Sequence, residues 1–278
     1  MKFVKMHGIG NDYIYIDCFR NPAPEDPSAL SIAMSRPHFG VGSDGLVLIL
    51  PSEVADGRMR MFNKDGSEGD MCGNAIRCVG KYMHDTGLIS GDHLTVETRA
   101  GIKALDLTVR DGVCTHARVD MGVPDFAPET IPVAAPEHHV TIDMPDGERL
   151  RFTCLNVGNP HAVTFDLYPE DNRFYRYGPW LENHPVFPKR ANIEFARVND
   201  AGHIDMRVWE RGSGETMACG TGATATLVAA ASDGLCGRRA DVKLPGGTLT
   251  IEWDECTNHA YMTGPAAVAF VGEWTDAL

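Results

Sequence analysis

Alternating apolar and polar positions predict short β-strands along the whole chain, and two stretches with helical periodicity predict one prominent helix in each half. Residues 58–62 and 203–209 alternate as strands do, and each segment runs into a loop rich in Gly and Ser. Helical stretches follow at residues 74–85 and 221–232, and a glycine comes soon after each one. The same order of strand, loop and helix is therefore predicted twice.

Further elements follow from the same patterns. After the two helices, strands are predicted at residues 94–98, 102–109, 242–244 and 248–253. Asp26-Pro27 predicts the start of a helix over residues 28–35, because Pro lacks the N–H group that the first turn of a helix leaves unpaired. Together these elements indicate the α+β class, rich in short strands.

The two halves of the chain also resemble each other residue by residue. At an offset of about 147 positions, Met59-Arg60 aligns with Met206-Arg207, and Cys72-Gly73 aligns with Cys219-Gly220. Chance pairing of common residues is the alternative to a true repeat. We interpret the match as two similar lobes with a cleft between them.

Composition and charge exclude several classes of protein. The chain has 278 residues and a net charge of −13, and it contains no run of Lys and Arg, which argues against a nucleic-acid surface. It also contains no apolar run of the roughly 18 residues that span a bilayer, and its first residues show no apolar signal segment. We therefore expect a soluble, cytoplasmic protein that binds neither nucleic acid nor membrane.

Two of the eight cysteines have positions that chemistry could use. No Cys-x-x-Cys pair is present, so a zinc ribbon and a disulfide scaffold are both unsupported. Cys72 and Cys219, however, each stand at a predicted helix start, where backbone N–H groups and the helix dipole favour a thiolate and lower its pKa. If the lobes face each other, one thiolate removes a proton from one face of a carbon while the opposite thiol protonates the other.

Simpler interpretations of the same residues stay open at this point. A single Cys near a helix start is more often part of a core. Asn11 and Asn159 lie in Gly-Asn turns, where Asn commonly bonds its own backbone. His161 is equally readable as a structural histidine, and Glu210-Arg211 as a solvated ion pair at a strand end.

Longer motifs carry a resemblance to a known family. The cysteine signatures of diaminopimelate epimerases resemble residues 63–78, NKDGSEGDMCGNAIRC, and residues 210–222, ERGSGETMACGTG. The opening motif of that family is similar to KMHGIGND at residues 5–12, and its central turn to GNPH at residues 158–161. The resemblance extends over nearly the whole chain.

This resemblance implies an enzyme that interconverts LL- and meso-2,6-diaminoheptanedioate without a cofactor or a metal, in the synthesis of lysine and peptidoglycan precursors. It implies two pseudosymmetric lobes, each a small closed β layer around a central helix, with the active-site cleft between them. The first lobe would comprise residues 1–118 with residues 264–278 returning to it, and the second lobe residues 119–263. Members are commonly homodimers.

The resemblance also assigns roles to individual residues. Cys72 and Cys219 become the acid–base pair, with Cys219 accepting the proton of the LL substrate, while His161 and Glu210 tune the thiols. The implied substrate contacts are Asn11, Asn63, Gly73, Asn74, Asn159, Asn192, Glu210, Arg211, Gly220 and Thr221. Some members carry Gln where this chain has Gly45, so a substrate contact at Gly45 is left open.

Two alternative functions remain at this level. A racemase of the same fold would act on proline, hydroxyproline or histidine. A two-lobed protein that binds an amino acid would perform no chemistry at all.

Overall fold

The computed structural model describes residues 1–275, which form 18 strands and four helices. In chain order the elements are β1 (Lys2–Gly8), β2 (Asn11–Asp17), α1 (Pro27–Ser35), β3 (Gly45–Leu50), β4 (Gly57–Asn63), β5 (Glu68–Gly69), α2 (Gly73–Asp85), β6 (His93–Thr98), β7 (Gly101–Arg110), β8 (Val113–Gly122), β9 (His139–Asp143), β10 (Arg149–Asn156), β11 (Pro160–Thr164), α3 (Phe174–Glu182), β12 (Asn192–Asp200), β13 (His203–Glu210), β14 (Gly214–Glu215), α4 (Gly220–Ser232), β15 (Arg239–Leu244), β16 (Gly247–Trp253), β17 (Ala260–Pro265) and β18 (Ala267–Glu273).

The chain divides into two compact units. Met1–Val119 and Thr263–Leu278 form the first unit, and Asp120–Met262 form the second. Residues 276–278, which end the segment expected to return to the first lobe, lie outside the described residues. The first unit therefore contains two pieces of chain that are far apart in sequence.

Strands of the first unit pair in an order that leaves α2 enclosed. β1 lies between β2 and β18 and is antiparallel to both. β3 then pairs parallel with β2 and antiparallel with β4, while β6 pairs parallel with β4 and antiparallel with β7. Helix α2 packs against strands of this layer and buries 10 of its 13 residues. A helix that is buried over most of its surface is stabilised by packing against the strands around it.

The second unit repeats this order. β10 lies between β9 and β11, antiparallel to both, and β11 pairs parallel with β12. β12 is antiparallel to β13, which pairs parallel with β15, and β15 is antiparallel to β16. Helix α4 buries 10 of its 13 residues, many of them Ala, whose small side chains let strands approach closely. The predicted α+β fold with two pseudosymmetric β layers around central helices is confirmed.

The local predictions also match the observed elements. The strands predicted at residues 58–62 and 203–209 are β4 and β13, and the two predicted helices are α2 and α4. Asp26 caps α1, because its carboxylate accepts from the Ala29 N–H at 2.9 Å.

Helix α3 was not predicted from the sequence. Pro179 lies inside it and interrupts the pattern expected of a helix interior. The helix persists because tertiary packing buries Phe174, Tyr177 and Leu181. No helix within residues 1–275 has the length and apolarity needed to cross a bilayer.

Candidate active site

Cys72 and Cys219 hold the same position in the two units. Each is the N-cap residue of the central helix of its unit, α2 or α4. Their backbones are alike, with φ −132° and ψ 119° at Cys72 and φ −128° and ψ 108° at Cys219. Both residues precede the first helical turn, whose N–H groups have no acceptor within the helix, and the sulfur of Cys219 accepts from one of them. The sequence repeat therefore places the two cysteines in equivalent backbone environments.

In the first unit, Cys72 contacts an asparagine whose orientation is fixed. The Cys72 thiol donates to Asn11 Oδ1 at 3.5 Å, and Asn11 Nδ2 donates to Asp44 Oδ2 at 2.7 Å. The Asp12 N–H donates to the same Asp44 oxygen at 3.1 Å. Burial raises the pKa of Asp44, opposed by these hydrogen bonds. Asp44 therefore turns the amide oxygen of Asn11 toward the thiol.

Asn63 and Asn74, two further predicted site residues of the first unit, differ in the partners of their side chains. Asn63 ends β4, and its Nδ2 donates to Ser67 Oγ at 3.0 Å within the loop before α2. Asn74 is buried, and its Oδ1 accepts from Arg77 Nη2 at 2.9 Å, while Gly73 O accepts from Arg77 Nη1 at 3.0 Å. A fully buried guanidinium thus holds the first turn of α2. The side chain of Asn74 serves this structural role.

In the second unit, the thiol of Cys219 is buried among acidic groups. The Gly222 N–H donates to Cys219 Sγ at 3.3 Å, and Thr221 Oγ1 lies 3.5 Å from the same sulfur. Burial raises the pKa of Cys219 well above its usual value, and the carboxyl groups of Glu210 and Glu194 raise it further when they are ionised. The N–H group at the helix start lowers this pKa as expected, but burial and the carboxyl groups outweigh it, so the net shift is upward.

Glu210 ends β13 and lies next to this thiol. Its carboxylate accepts a hydrogen bond from Thr216 Oγ1. Burial raises the pKa of Glu210, whereas hydrogen bonds from Thr216 and from the Cys219 thiol lower it. A carboxylate with a raised pKa beside a thiol is a suitable proton acceptor for that thiol. The solvated ion pair considered from the sequence does not describe Glu210.

His161 belongs to the same buried group. Its Nδ1 lies 2.6 Å from Glu194 Oε1, and its Nε2 lies 2.8 Å from Asn159 Oδ1. Both His161 and Glu194 are 0 % exposed. A Cβ atom on Gly222 would lie 2.9 Å from Glu194 Oε1 and 3.2 Å from the sulfur of Cys219, so glycine lets the carboxylate approach the start of α4. Asn159, His161 and Glu194 are linked by hydrogen bonds, and we call this linked group the Asn159 chain. Its Glu194 end lies near Cys219.

Asn192 and Arg211 are linked to each other. Asn192 Nδ2 donates to Pro160 O at 2.9 Å, and its Oδ1 accepts from the Arg211 N–H at 2.9 Å. The buried amide of Asn192 thus joins the start of β11 to the loop that follows β13. Arg211 is exposed, and its Nη1 donates to Lys189 O at 3.3 Å. An exposed guanidinium at this position can still pair with a carboxylate of a ligand.

Three titratable residues near the thiols were not predicted from the sequence as site residues: Glu194, Asp44 and Arg77. Each forms hydrogen bonds to a residue that the motifs had already selected. A signal existed for Glu194, since it lies between Ile193 and Phe195 in a strand of apolar residues, where an acidic side chain is unusual. Asp44 and Arg77 gave no such signal, because charged residues are ordinary in loops and helices.

Gly45 begins β3 at a point where the backbone leaves no room for a side chain. A Cβ there would overlap the carbonyl oxygen of Phe62 and lie 2.8 Å from Tyr13 Cε1. The Gln that some family members carry at this position would require the strand to shift.

We expect Gly45→Ala to lower the free energy of unfolding by about 1–3 kcal/mol, the usual range for an overpacked interior. Urea denaturation measures this change. Gly237→Ala is the matched control, since a Cβ there meets no atom within 4 Å, and it should change stability by less than about 0.5 kcal/mol. Equal stability of the two variants would contradict the steric argument.

Within residues 1–275, no cluster of three or more His, Cys, Asp or Glu side chains is placed to hold a metal ion. At Cys219 the geometry is that of a proton-transfer site, with a thiol, a carboxylate acceptor and a backbone N–H group in contact.

Comparison with known proteins identifies the family. The family model described as diaminopimelate epimerase matches residues 3–127 and 153–269. A diaminopimelate epimerase of Acetivibrio thermocellus is 54% identical over 279 residues, which cover 98% of each chain. The chain belongs to the diaminopimelate epimerase family. A second diaminopimelate epimerase, from Methanococcus maripaludis, is 52% identical over 275 residues, covering 98% of this chain and 99% of the relative.

Solved structures of other enzymes have the same fold as this member of the diaminopimelate epimerase family. A probable proline racemase from Agrobacterium radiobacter K84 has a TM-score of 0.76 at 17% identity, covering 99% of this chain and 92% of the other. A hydroxyproline epimerase from Agrobacterium vitis has a TM-score of 0.74 at 17% identity, covering 98% and 91%. At such identity the likeness concerns the fold alone, which several chemistries share.

Proposed function

We propose that this enzyme interconverts LL- and meso-2,6-diaminoheptanedioate without a cofactor, with Cys72 and Cys219 as its two bases. The observation that carries the proposal is the pair of cysteines at equivalent helix N-caps, in a chain 54% identical to a diaminopimelate epimerase over nearly its full length. Inversion at a carbon needs a proton removed from one face and another delivered to the opposite face, and two thiols meet that need.

Proton transfer at Cys219 begins with Glu210. The buried thiol passes its proton to the Glu210 carboxylate, and the resulting thiolate removes the α-proton of the LL substrate. Cys72 then donates its proton to the other face of the carbon, and the reverse reaction exchanges the two roles. The thiols and carboxylates form a coupled system, so its apparent pKa values belong to the group as a whole.

The developing negative charge on the substrate needs stabilisation, because an amino-acid α-proton is only weakly acidic. The N–H groups of Gly73 and Asn74 at the start of α2, and of Gly220 and Thr221 at the start of α4, are suited to bind the reacting carboxylate. Such hydrogen-bond donors are fixed before the reaction and need no reorganisation during it. No electron-withdrawing cofactor is required in this scheme.

The far end of the substrate carries a second ammonium and a second carboxylate. Arg211 is exposed and pairs with a carboxylate, while the amides of Asn11, Asn63 and Asn159 supply hydrogen bonds. Glu210 accepts from an ammonium group, and Asn192 acts by fixing the backbone of Arg211. Substrates without the second polar end would lack these contacts and would bind more weakly.

The proposal is tested by incubating the protein with LL-diaminopimelate in deuterated water. We expect meso product that carries deuterium at the inverted α-carbon, read by NMR and mass spectrometry, and no comparable exchange with proline, hydroxyproline or histidine. Strong turnover of those three alone would support the same-fold racemase instead. An α-proton that stays in place in every amino acid would indicate a binding protein without chemistry.

We also propose a cytoplasmic homodimer that acts in lysine and peptidoglycan precursor synthesis, with a small molecule as its substrate. Support for self-association comes from β18, which carries three largely exposed apolar side chains. Val268 and Phe270 are each 48% exposed, and Val271 is 70% exposed. Exposed apolar side chains on one strand suit a protein interface.

A further inference from the structure

Glu194 is a carboxyl group with half of its hydrogen-bonding capacity unused. It lies on β12 and is 0 % exposed. One oxygen, Oε1, lies 2.6 Å from His161 Nδ1. The other oxygen, Oε2, is buried and has no hydrogen-bond partner. An ionised carboxylate spreads its charge over both oxygens, so a bare buried oxygen is costly for the ion and much less costly for the neutral acid.

The other side of His161 decides where the protons lie. Nε2 is 2.8 Å from Asn159 Oδ1, and a carbonyl oxygen only accepts, so Nε2 must carry a hydrogen. With Nε2–H present, a neutral imidazole has an unprotonated Nδ1. That nitrogen can accept the O–H of a protonated Glu194, and 2.6 Å is a suitable length for such a bond.

The electrostatic surroundings favour the same arrangement. Burial raises the pKa of Glu194, although the neighbouring His161 and the backbone N–H groups of Ala162 and of Glu194 itself lower it. Glu210 and Cys219 lie close by and carry negative charge when ionised. A second buried anion would repel both of them, whereas a neutral Glu194 does not.

We propose that Glu194 is a positioning residue held as the neutral acid, which fixes the His161 tautomer and thereby orients the Asn159 amide with its NH₂ group toward the substrate. The order of donors along the Asn159 chain is Glu194 O–H to His161 Nδ1, then His161 Nε2–H to Asn159 Oδ1. Asn159 Nδ2 is the remaining donor group of the chain. The substrate contact at Asn159 rests on the proposed function.

This inference assigns His161 a role different from the one that the family resemblance implies. A histidine that donates to an amide oxygen and accepts from a carboxylic acid has both ring nitrogens in use. It acts on substrate binding through Asn159. With Glu194 neutral, Glu210 is the neighbouring carboxylate that carries charge beside Cys219, whereas an ionised Glu194 would raise the pKa of Cys219 further.

Substitutions at Glu194 test the proposal through a contrast between two variants. Glu194→Gln keeps an N–H donor of similar shape facing His161, so we expect KM for LL-diaminopimelate within about threefold of the wild type. Glu194→Leu removes the donor, so that the imidazole ring and the Asn159 amide are free to flip. We expect it to raise KM by about tenfold or more, with a smaller effect on kcat, as for the loss of one buried hydrogen bond.

Glu182→Gln is the matched control for the same chemical change. Glu182 is buried but accepts from Arg190, Trp209 Nε1 and the Gly212 N–H, so both of its oxygens have donors. Gln at this position should lower the melting temperature clearly, while Glu194→Gln should not. If Glu194→Gln instead raises KM as much as Glu194→Leu, Glu194 works as a carboxylate and the proposal is overturned.

A measurement on the unchanged protein avoids any dependence on variants that fail to fold. Nitrogen-15 NMR of the His161 ring at neutral pH should show a protonated Nε2 and an unprotonated Nδ1. A doubly protonated ring, or a proton on Nδ1 alone, would overturn the proposal. This readout needs no substrate, so failure of the deuterium assay with the expected tautomer present would count against the proposed function alone.

Discussion

Replacing Cys219 by serine lowers kcat by about 10³-fold or more in both directions, and replacing Cys72 by serine does the same. A serine hydroxyl ionises far less readily than a thiol, so it can neither remove the α-proton nor alternate between acid and base. Coupled assays of LL and meso turnover measure the loss. Cys256→Ser is the control, since Cys256 is exposed and should keep full activity.

Deuterium exchange in the same variants tests which thiol serves which isomer. A protein that retains only Cys219 should still exchange the α-proton of LL-diaminopimelate slowly with solvent, without inversion. A protein that retains only Cys72 should exchange the meso isomer at its D centre. The reverse pattern would interchange the two assignments, and full activity in either serine variant would remove that cysteine from the mechanism.

Glu210→Gln should lower kcat/KM by about 10²–10³-fold, because an amide cannot accept the proton of Cys219. The thiol itself should become easier to ionise, since the negative charge of Glu210 raises the pKa of Cys219 and the amide carries no charge. Alkylation of Cys219 by iodoacetamide, followed by mass spectrometry as a function of pH, should therefore move to lower pH while catalysis falls.

Arg207 and Glu215 offer a control for this substitution. Their ion pair, 2.7 Å between Arg207 Nη2 and Glu215 Oε1, joins β13 to β14. Glu215→Gln weakens that pair and should leave the alkylation profile of Cys219 in place. If alkylation in Glu210→Gln moves to higher pH, Glu210 does not act on Cys219 through its charge.

Regular elements were predictable where local sequence and final packing agree. β4 and β13 alternate along their length, and α2 and α4 are each followed by a glycine with positive φ, Gly87 at +72° and Gly234 at +71°. Helix α3 was not predictable, because its Pro179 contradicts the local rule and only tertiary burial overrides it.

The site was predictable only in part, for a related reason. Motifs name residues that lie near each other in sequence, such as Glu210 and Cys219. Glu194 is joined to His161 across the parallel pairing of β11 and β12, and Asp44 reaches Asn11 through the parallel pairing of β2 and β3. Spacing along the chain carries no record of such cross-strand neighbours. Burial then sets the charge state of each group, which a sequence does not show.

The position of β18 has a consequence for how the protein is made. β1 pairs with β2 on one side and with β18, residues Ala267–Glu273, on the other. A ribosome releases β1 long before β18, so one edge of β1 stays unpaired during synthesis of Asp120–Met262. That continuous segment can fold in the meantime. During that interval the nascent chain is exposed to edge-to-edge association, and chaperone binding would have its greatest effect there.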